Sequence, residues 1–554
     1  MNVIPTKVPP QYLRSRMGKV CVAIIGDTAA EMVEKAESAV RDNPFVEFRL
    51  DYLEKPLAAL PRLKEFLSEH SEVTAIATCR RKTHGGRFSG NLAAELEVLQ
   101  KAAQSGFHIV DLELQSAEAM KKAEMEKLQE QVALIISYHD FEATRDLDKI
   151  YERMVPFAPD FYKIVTTAKS LSDNVTMIRF LERTRDAASV IGVCMGDYGI
   201  ISRVLGVRAG SLFTFAAASV GEETAPGQIA ARTLHETYRI DQVDAATRVY
   251  GVAGNPVRHS LSPIMLNTAF RRETVNAVYL ALQTNKLSDL LNLVNEIPIH
   301  GFSVTMPFKV DILKHLDRTD AMTEKIGACN TVVRAQDGKL IGFNTDVAGI
   351  VRPLETRLEL RKAKVLVLGV GGTGRAAVYG LLERGADVYV LNRTPQKAQG
   401  LARSSGAKTI RRELLAKTQF DVIINTTPVG MTGQKQQSWL EPEELNAKYV
   451  FDAVYSPLDT PLLQMARARG IQTITGLEMF VNQGAEQFQL WTGKPAPKEE
   501  MYRVALHALK QRAEAGGQGA PRATPLKAIV AKVGAVSEKV PAKATKKAAK
   551  VVRK

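Results

Sequence analysis

The chain has 554 residues, 45% hydrophobic and 24% charged, the balance of a soluble globular protein with roughly two to four domains. It holds no apolar run of transmembrane length. Its four cysteines (Cys21, Cys79, Cys194, Cys329) lie far apart without a C-x-x-C pair, which argues against a disulfide framework or a metal site and favours a reducing, cytoplasmic setting. The net charge of +14 is concentrated at one end: between 510 and 554, twelve Lys/Arg stand against two Glu and supply +10 of it.

Residues 1–19 carry Pro5, Pro9 and Pro10 and four Lys/Arg without an acid, and read as a short disordered leader. A weak organelle-transit reading stays open. Eight short apolar runs follow, at 20–26, 45–51, 73–79, 107–114, 132–138, 160–166, 189–195 and 211–217. The stretches between them mostly read as helices, for example 29–41, 57–69, 92–104 and 172–185. Eight strands alternating with helices in about 200 residues predict a (β/α)₈ barrel over residues 20–238, with its chemistry at the C-terminal strand ends.

Those ends are polar. Glu47, Arg49 and Asp51 alternate to one side of strand two, and Arg80 follows strand three. Asp111 and Glu113 lie in strand four, His139 follows strand five, Lys163 is in strand six, and Arg203 follows strand seven. Thr224 and Gln228 follow strand eight. Lys163 is the most telling, because it interrupts the apolar run Phe161-Tyr162-Lys163-Ile164-Val165. A buried ammonium is costly unless paired or neutral, and a desolvated lysine is a route to an amine that forms imines with ketones. A lysine snorkelling from an edge strand is the plainer alternative. Charged and polar groups at one pole of seven successive strands point to a site for an anionic, hydroxylated ketone.

Glu47-Phe48-Arg49, Ser137-Tyr138-His139-Asp140, Tyr162-Lys163-Ile164, Ile201-Ser202-Arg203 and Ala225-Pro226-Gly227-Gln228 together resemble type I 3-dehydroquinate dehydratase over about residues 20–235. The resemblance implies an imine between Lys163 and the substrate C3 ketone, with His139 as general base and acid. It implies Arg203 on the carboxylate, and Glu47, Arg49, Arg80, Thr224 and Gln228 around the ring hydroxyls. Two positions depart from the pattern. His84 stands where a Glu usually precedes the paired glycines, and Thr224 replaces a common Ser.

A second segment, 247–355, opens on a strand and turn ending in Asn255-Pro256, then Ser260-x-Ser262-Pro263. It continues through Thr305 to Lys309, Asn330-Thr331 and Asn344-Thr345-Asp346. Singly these are weak: Ser-x-Ser before Pro is often a helix cap, and Lys309 with Asp346 reads equally as a surface ion pair. The third segment, 356–480, carries Gly369-Val370-Gly371-Gly372-Thr373-Gly374 between a strand and a helix, the context that a Rossmann dinucleotide-binding loop needs. The next strand ends in Asn392-Arg393-Thr394 rather than an acid, which favours a 2′-phosphate and hence NADP.

These motifs, with Gly476-Leu477-Glu478-Met479, resemble shikimate dehydrogenase over about residues 247–510. Ser303, in a Gly-Phe-Ser-Val run, resembles the fused enzymes of plants. The resemblance implies Ser260, Ser262, Thr305, Asn330, Tyr455 and Gln483 as substrate contacts, and Lys309 with Asp346 as the proton-transfer pair. It implies Gly369, Gly371, Gly372, Thr373, Asn392, Arg393, Thr394, Lys397 and Gly476 around the cofactor. Residues 481–510 are expected to return as helices to the substrate lobe. The order dehydratase then dehydrogenase resembles bifunctional fusions in which the first product is the second substrate. Residues 511–554 read as a disordered basic tail able to bind polyanions. A quinate-preferring dehydrogenase, a nucleic-acid-associated protein and a barrel that has lost catalysis are the alternatives.

Overall fold

The structure is a computed structural model and describes residues 7–433 and 437–517. The chain divides into two compact units, Met1–Ala513 and Glu514–Lys554. Of the second, only 514–517 are described. Among the described residues no helix is long and apolar enough to cross a membrane.

Eight parallel strands form the N-terminal sheet: β1 (Val20–Ile24), β2 (Phe45–Arg49), β3 (Thr74–Thr78), β4 (Ile109–Glu113), β5 (Ala133–His139), β6 (Phe161–Thr167), β7 (Val190–Met195) and β8 (Thr214–Ala217). Their order is sequential, and β8 returns to pair with β1, Val20 opposite Thr214. The Leu212 N–H donates to the Val190 carbonyl at 2.9 Å, drawing the start of β8 against β7 and nearly closing the barrel. Strands buried on both faces read as continuous apolar runs, which is why all eight are visible in the sequence.

The expectation of a disordered leader is overturned where the structure describes it. Pro10–Arg16 is a helix whose Leu13 is fully buried. Leu13 packs with Cys21, Phe45, Ile76, Ile109, Phe161, Ile191 and Phe213 on the barrel interior, and Val8 and Met17 pack beside them. The helix therefore plugs the mouth opposite the polar strand ends. Lys7 pairs with Asp160 at 2.8 Å, and Arg14 donates to Ser189. Burial of apolar surface from the barrel floor orders a segment that has too few apolar residues to order itself.

The second sheet is mixed. It runs β10 (Ala277–Gln283), β9 (Arg248–Gly254), β11 (Ile299–Val304), β13 (Thr331–Arg334), β14 (Leu340–Phe343) and β12 (Arg318–Thr319). The third is all parallel, in the order β17 (Lys408–Thr409), β16 (Asp387–Leu391), β15 (Lys364–Leu368), β18 (Phe420–Asn425), β19 (Ala447–Asp452) and β20 (Gln472–Ile474). Helix Gly476–Thr492 starts at β20 and returns to the second sheet, where Trp491 Nε1 donates to the Val332 carbonyl at 3.1 Å. Helix Lys498–Gly517 follows, with Met501 and Ala505 buried beside Met265 and Phe488. It runs beyond residue 510, where the tail was expected to begin. Gln511 to Ala515 are sound helix formers, and only Gly516-Gly517 breaks the pattern. The remainder of the basic tail lies outside the described residues.

The barrel and the second sheet are joined by more than their connection. Asp289, at the start of helix Leu287–Glu296, accepts from the Leu171 and Ser172 N–H groups at 2.8 and 2.9 Å. It thereby caps the barrel helix Leu171–Thr184 that follows Lys163's strand. Arg258 forms an ion pair with Asp197 across the same boundary.

Candidate functional sites

At the C-terminal pole of the barrel lies a cavity of about 560 Å³, including its open mouth. Glu47, Arg49, Arg80, His139, Lys163, Arg203, Thr224 and Gln228 all line it, with Phe141, Met195 and Phe215 supplying apolar wall. The strand register explains the gathering: Glu113 lies opposite Ser137, and Ser137 opposite Lys163, across β4, β5 and β6.

Lys163 is 3% exposed, so it does not snorkel. Its Nζ donates to Asp111 Oδ2 at 2.8 Å, lies 3.6 Å from Glu47 Oε1, and sits 3.9 Å above the centroid of the Phe215 ring. Asp111 Oδ1 accepts from Arg80 at 2.7 Å and from Ser137 at 2.6 Å. Burial pushes the Asp111 carboxyl up, but Lys163 and then Arg80 outweigh it and hold the group well below the carboxylate range. Arg49 is fixed by a two-pronged pair to Asp51 at 2.9 and 2.8 Å.

His139 is held at two points by one carboxylate. Its N–H donates to Glu113 Oε1 at 3.0 Å, and its Nδ1–H donates to Glu113 Oε2 at 2.9 Å. Burial and then the Arg80 charge push the His139 pKa down, against the opposing pull of Glu113. The imidazole is therefore neutral near pH 7, with Nε2 left as the basic nitrogen.

Arg203 is 2% exposed and has no carboxylate partner among the described residues. Among the described residues its Nη atoms reach only the Phe215 and Pro226 carbonyls, at 3.3 and 3.4 Å, and its buried Nε has no partner. Burial pushes its pKa down to about 10, so it stays a cation at neutral pH. A buried guanidinium with unused donors is a receptor for an anion.

The second constellation lies between the two later sheets. Lys309 Nζ donates to Asp346 Oδ2 at 2.5 Å, and Asn330 Nδ2 donates to Asp346 Oδ1 at 2.7 Å. Asp346 is buried, so this is no ordinary surface pair. Asn330 Oδ1 accepts from the Thr345 N–H at 2.7 Å and the Thr331 hydroxyl at 2.8 Å. Gln487 extends the network, donating to Thr331 Oγ1 at 3.0 Å and accepting from Ser303 at 2.8 Å. Ser260 Oγ accepts from the Ser262 N–H at 3.1 Å and thus serves the local turn as well. Tyr455 stacks on Phe480 at 4.7 Å, and Gln483 Nε2 donates to the Phe480 carbonyl at 3.0 Å. Thr305 follows β11, half-buried.

The glycine-rich turn fits a dinucleotide. Gly369 has φ +98°, and a Cβ on Gly374 would stand 2.3 Å from the Gly369 carbonyl oxygen, so both need to be glycine. Gly371 faces open space before helix Gly372–Glu383, where a pyrophosphate would approach the helix N-terminus. Arg393, Thr394 and Lys397 are exposed just after β16, and neither Arg393 nor Lys397 is paired among the described residues. Asn392 Nδ2 donates to the Thr394 carbonyl at 3.0 Å, which orders that corner. A Cβ on Gly476 would meet the Val454 carbonyl oxygen at 2.4 Å, so the backbones pack closely there.

The family model of type I 3-dehydroquinase matches residues 20–245, and that of the shikimate dehydrogenase substrate binding domain matches 252–332. The shikimate / quinate 5-dehydrogenase model matches 354–437, and the shikimate 5′-dehydrogenase C-terminal domain matches 476–506. A chloroplastic bifunctional 3-dehydroquinate dehydratase/shikimate dehydrogenase of Arabidopsis thaliana is 34% identical over 513 residues, 88% of this chain and 84% of that one. The chain belongs to this bifunctional family. A shikimate dehydrogenase (NADP(+)) of Pyrococcus furiosus is 42% identical over 49% of this chain and 99% of its own. The solved structure of dehydroquinate dehydratase and shikimate dehydrogenase from S. pombe AroM is 25% identical, covering 90% of this chain and 99% of that one, with a TM-score of 0.42.

Two features of the first site bear on the unusual His84. His84 is half-buried and off the cavity wall, its Nδ1 without a partner among the described residues, and it is Glu113 that holds His139. Asp111 and Glu113 were visible in the sequence only as polar residues of strand four. Their roles come from register, which a single sequence does not carry. Gln487 had no signal at all, since a glutamine on a helix reads as a surface residue.

Proposed function

We propose that the chain catalyses two consecutive steps, dehydration of 3-dehydroquinate to 3-dehydroshikimate in the barrel and reduction of that product to shikimate with NADPH. The observation that carries the reading is a buried lysine and a neutral, carboxylate-held histidine sharing one cavity with an anion-seeking arginine. Arg203 takes the substrate carboxylate, and Glu47, Arg49, Thr224 and Gln228 face its hydroxyls. Lys163 Nζ attacks the C3 ketone and water leaves to form the imine. His139 Nε2 removes a proton from C2, the electron pair passes to the imine, and the C1 hydroxyl departs as water with a proton returned by His139. A second water then hydrolyses the imine and frees Lys163.

In the dehydrogenase half, Ser260, Ser262, Thr305, Asn330, Tyr455 and Gln483 hold the ring carboxylate and hydroxyls. Lys309, oriented by Asp346, gives a proton to the carbonyl oxygen. Gly369, Gly371 and Gly372 receive the pyrophosphate of NADP, and Arg393 with Asn392, Thr394 and Lys397 receives its 2′-phosphate. Bound NADPH supplies the hydride. Gly476 lets the backbone approach the nicotinamide side of the cleft. A reducing, cytoplasmic setting is supported by four unpaired, buried cysteines.

The test is to incubate the protein with 3-dehydroquinate and borohydride and to locate the adduct by mass spectrometry. A reduced adduct on Lys163 is expected. Turnover without any lysine adduct would overturn the imine, and absence of both turnover and adduct would overturn the dehydratase reading.

A further inference from the structure

Thr373 is the second residue of helix Gly372–Glu383 and belongs to the glycine-rich turn, where sequence alone makes it a cofactor contact. Its side chain does something else. The Thr373 hydroxyl donates to Asp346 Oδ2 at 3.1 Å and accepts from Lys309 Nζ at 3.4 Å. With the 2.5 Å Lys309–Asp346 bond it closes a three-membered ring of hydrogen bonds. A hydroxyl is suited to this place because it has one proton to give the carboxylate and lone pairs to receive the ammonium.

The rest of the ring is already held. Asp346 Oδ1 is fixed by Asn330, and Asn330 by Thr331 and Thr345. Lys309 Nζ has only Asp346 and Thr373 as hydrogen-bond partners among the described residues. The backbone of the turn also lies on the lysine stem: a Cβ on Gly372 would stand 3.2 Å from Lys309 Cδ. The turn that receives the dinucleotide thus touches the proton-transfer pair through one hydroxyl.

We infer that Thr373 is a positioning residue for proton transfer, its hydroxyl tying the dinucleotide-binding turn to the Lys309–Asp346 pair. This rests on the reading of the second half as a shikimate dehydrogenase. One structural element then both receives the cofactor and aligns the proton donor, because the same turn serves both. Losing the hydroxyl frees Lys309 to rotate about Asp346 without altering the cradle for the phosphates.

The experiment uses the full chain with Thr373→Val, Thr373→Ser and Thr373→Ala. Oxidation of shikimate is measured at saturating NADP, and NADPH affinity is measured separately by fluorescence titration without substrate. Thr373→Val is expected to lower kcat about tenfold, the worth of one hydrogen bond to a charged group, while the NADPH Kd stays within about threefold. Thr373→Ser should restore kcat to within about threefold of the parent. Unchanged kcat with a raised NADPH Kd would overturn the inference and leave Thr373 a cofactor contact. Failure of the serine variant to recover would assign the effect to packing of the methyl group instead. Should the valine variant bind no NADPH through misfolding, the alanine and serine pair decides: equal kcat in both overturns the inference. A parent protein that binds NADPH yet does not oxidise shikimate would overturn the functional reading itself, and this inference with it.

Discussion

Replacing Glu113 by Gln tests the chemistry of the barrel most directly. The carboxylate accepts three hydrogen bonds, from the His139 N–H and Nδ1–H and from Arg80 Nε. A carboxamide can present its oxygen to only one side, so at least one of these contacts is lost or reversed. Unit charges about 4 Å apart attract by about 4 kcal/mol at an effective dielectric of about 20. This attraction exists only after His139 has taken the C2 proton, so it acts on the transition state and not on the resting enzyme. Allowing for the carbonyl that glutamine retains, about 3 kcal/mol is lost, or about 100-fold in kcat. The pH profile should move as well. Glu113 pulls the His139 pKa upward while burial and Arg80 push it down. Removing the carboxylate therefore shifts the acid limb of the dehydratase to still lower pH. The assay follows the absorbance of the conjugated product from about pH 5 to about pH 8, where a free imidazole would titrate near 6.5. A variant with kcat within about threefold of the parent, or with its acid limb moved upward, would refute the assignment of His139 as base and Glu113 as its orienting acid.

Leu13→Ala should cost the barrel about 2–5 kcal/mol, because the side chain is wholly buried on the barrel floor, and thermal inactivation should strike the dehydratase before the dehydrogenase. Asp452 is buried at the end of β19, and its carboxyl is pushed up to about 6 from 3.8 by that burial. The folded chain therefore binds this proton more tightly than the unfolded one, so its contribution to stability falls as pH rises from about 4 to about 6 and is flat above. Asp452→Asn, which retains an oxygen for Asn425 and gives Thr460 a donor, should gain melting temperature over the parent progressively across that window; equal melting curves at every pH would contradict this. Arg393→Ala should raise the KM for NADP by about 10–100-fold and leave that for NAD unchanged, as expected if one charge-assisted contact to a 2′-phosphate is lost. Equal losses with both cofactors would remove Arg393 from that role.

How much of this was legible in the sequence follows from the range of the forces involved. The barrel strands announce themselves because burial on both faces demands runs of Val, Ile, Phe and Ala. Lys163 is conspicuous for the same reason, being a charge where the run permits none. Partnerships across strands are another matter. Glu113 meets His139 because β4 and β5 align Glu113 with Ser137, a register set by the whole barrel and not by neighbours in sequence. Leu13 is one apolar side chain in a polar, proline-bearing segment, and its burial is decided by the cavity beneath it. Thr373 looks like part of a phosphate loop, and its second allegiance appears only when Asp346 is brought across the cleft. Gln487 bridges Ser303 and Thr331 from a helix more than a hundred residues away, a contact that no local periodicity encodes.

Asp289 gives the fusion a fixed tertiary contact that a flexible tether would lack. The helix Leu171–Thr184 has its own box of Ser170 and Asp173, but its first two amides, of Leu171 and Ser172, are satisfied by a carboxylate 118 and 117 residues further along. A ribosome making the chain completes the barrel's strands well before that carboxylate emerges, so the nascent barrel holds the helix end in water until the second half folds onto it. Cutting the gene between the halves would leave a barrel with an unmated positive helix end and a partner whose carboxylate keeps the Thr284 hydroxyl but loses both amides. The two halves thus share one helix cap, worth about 0.5–2 kcal/mol, and at that point each is part of the other's tertiary structure.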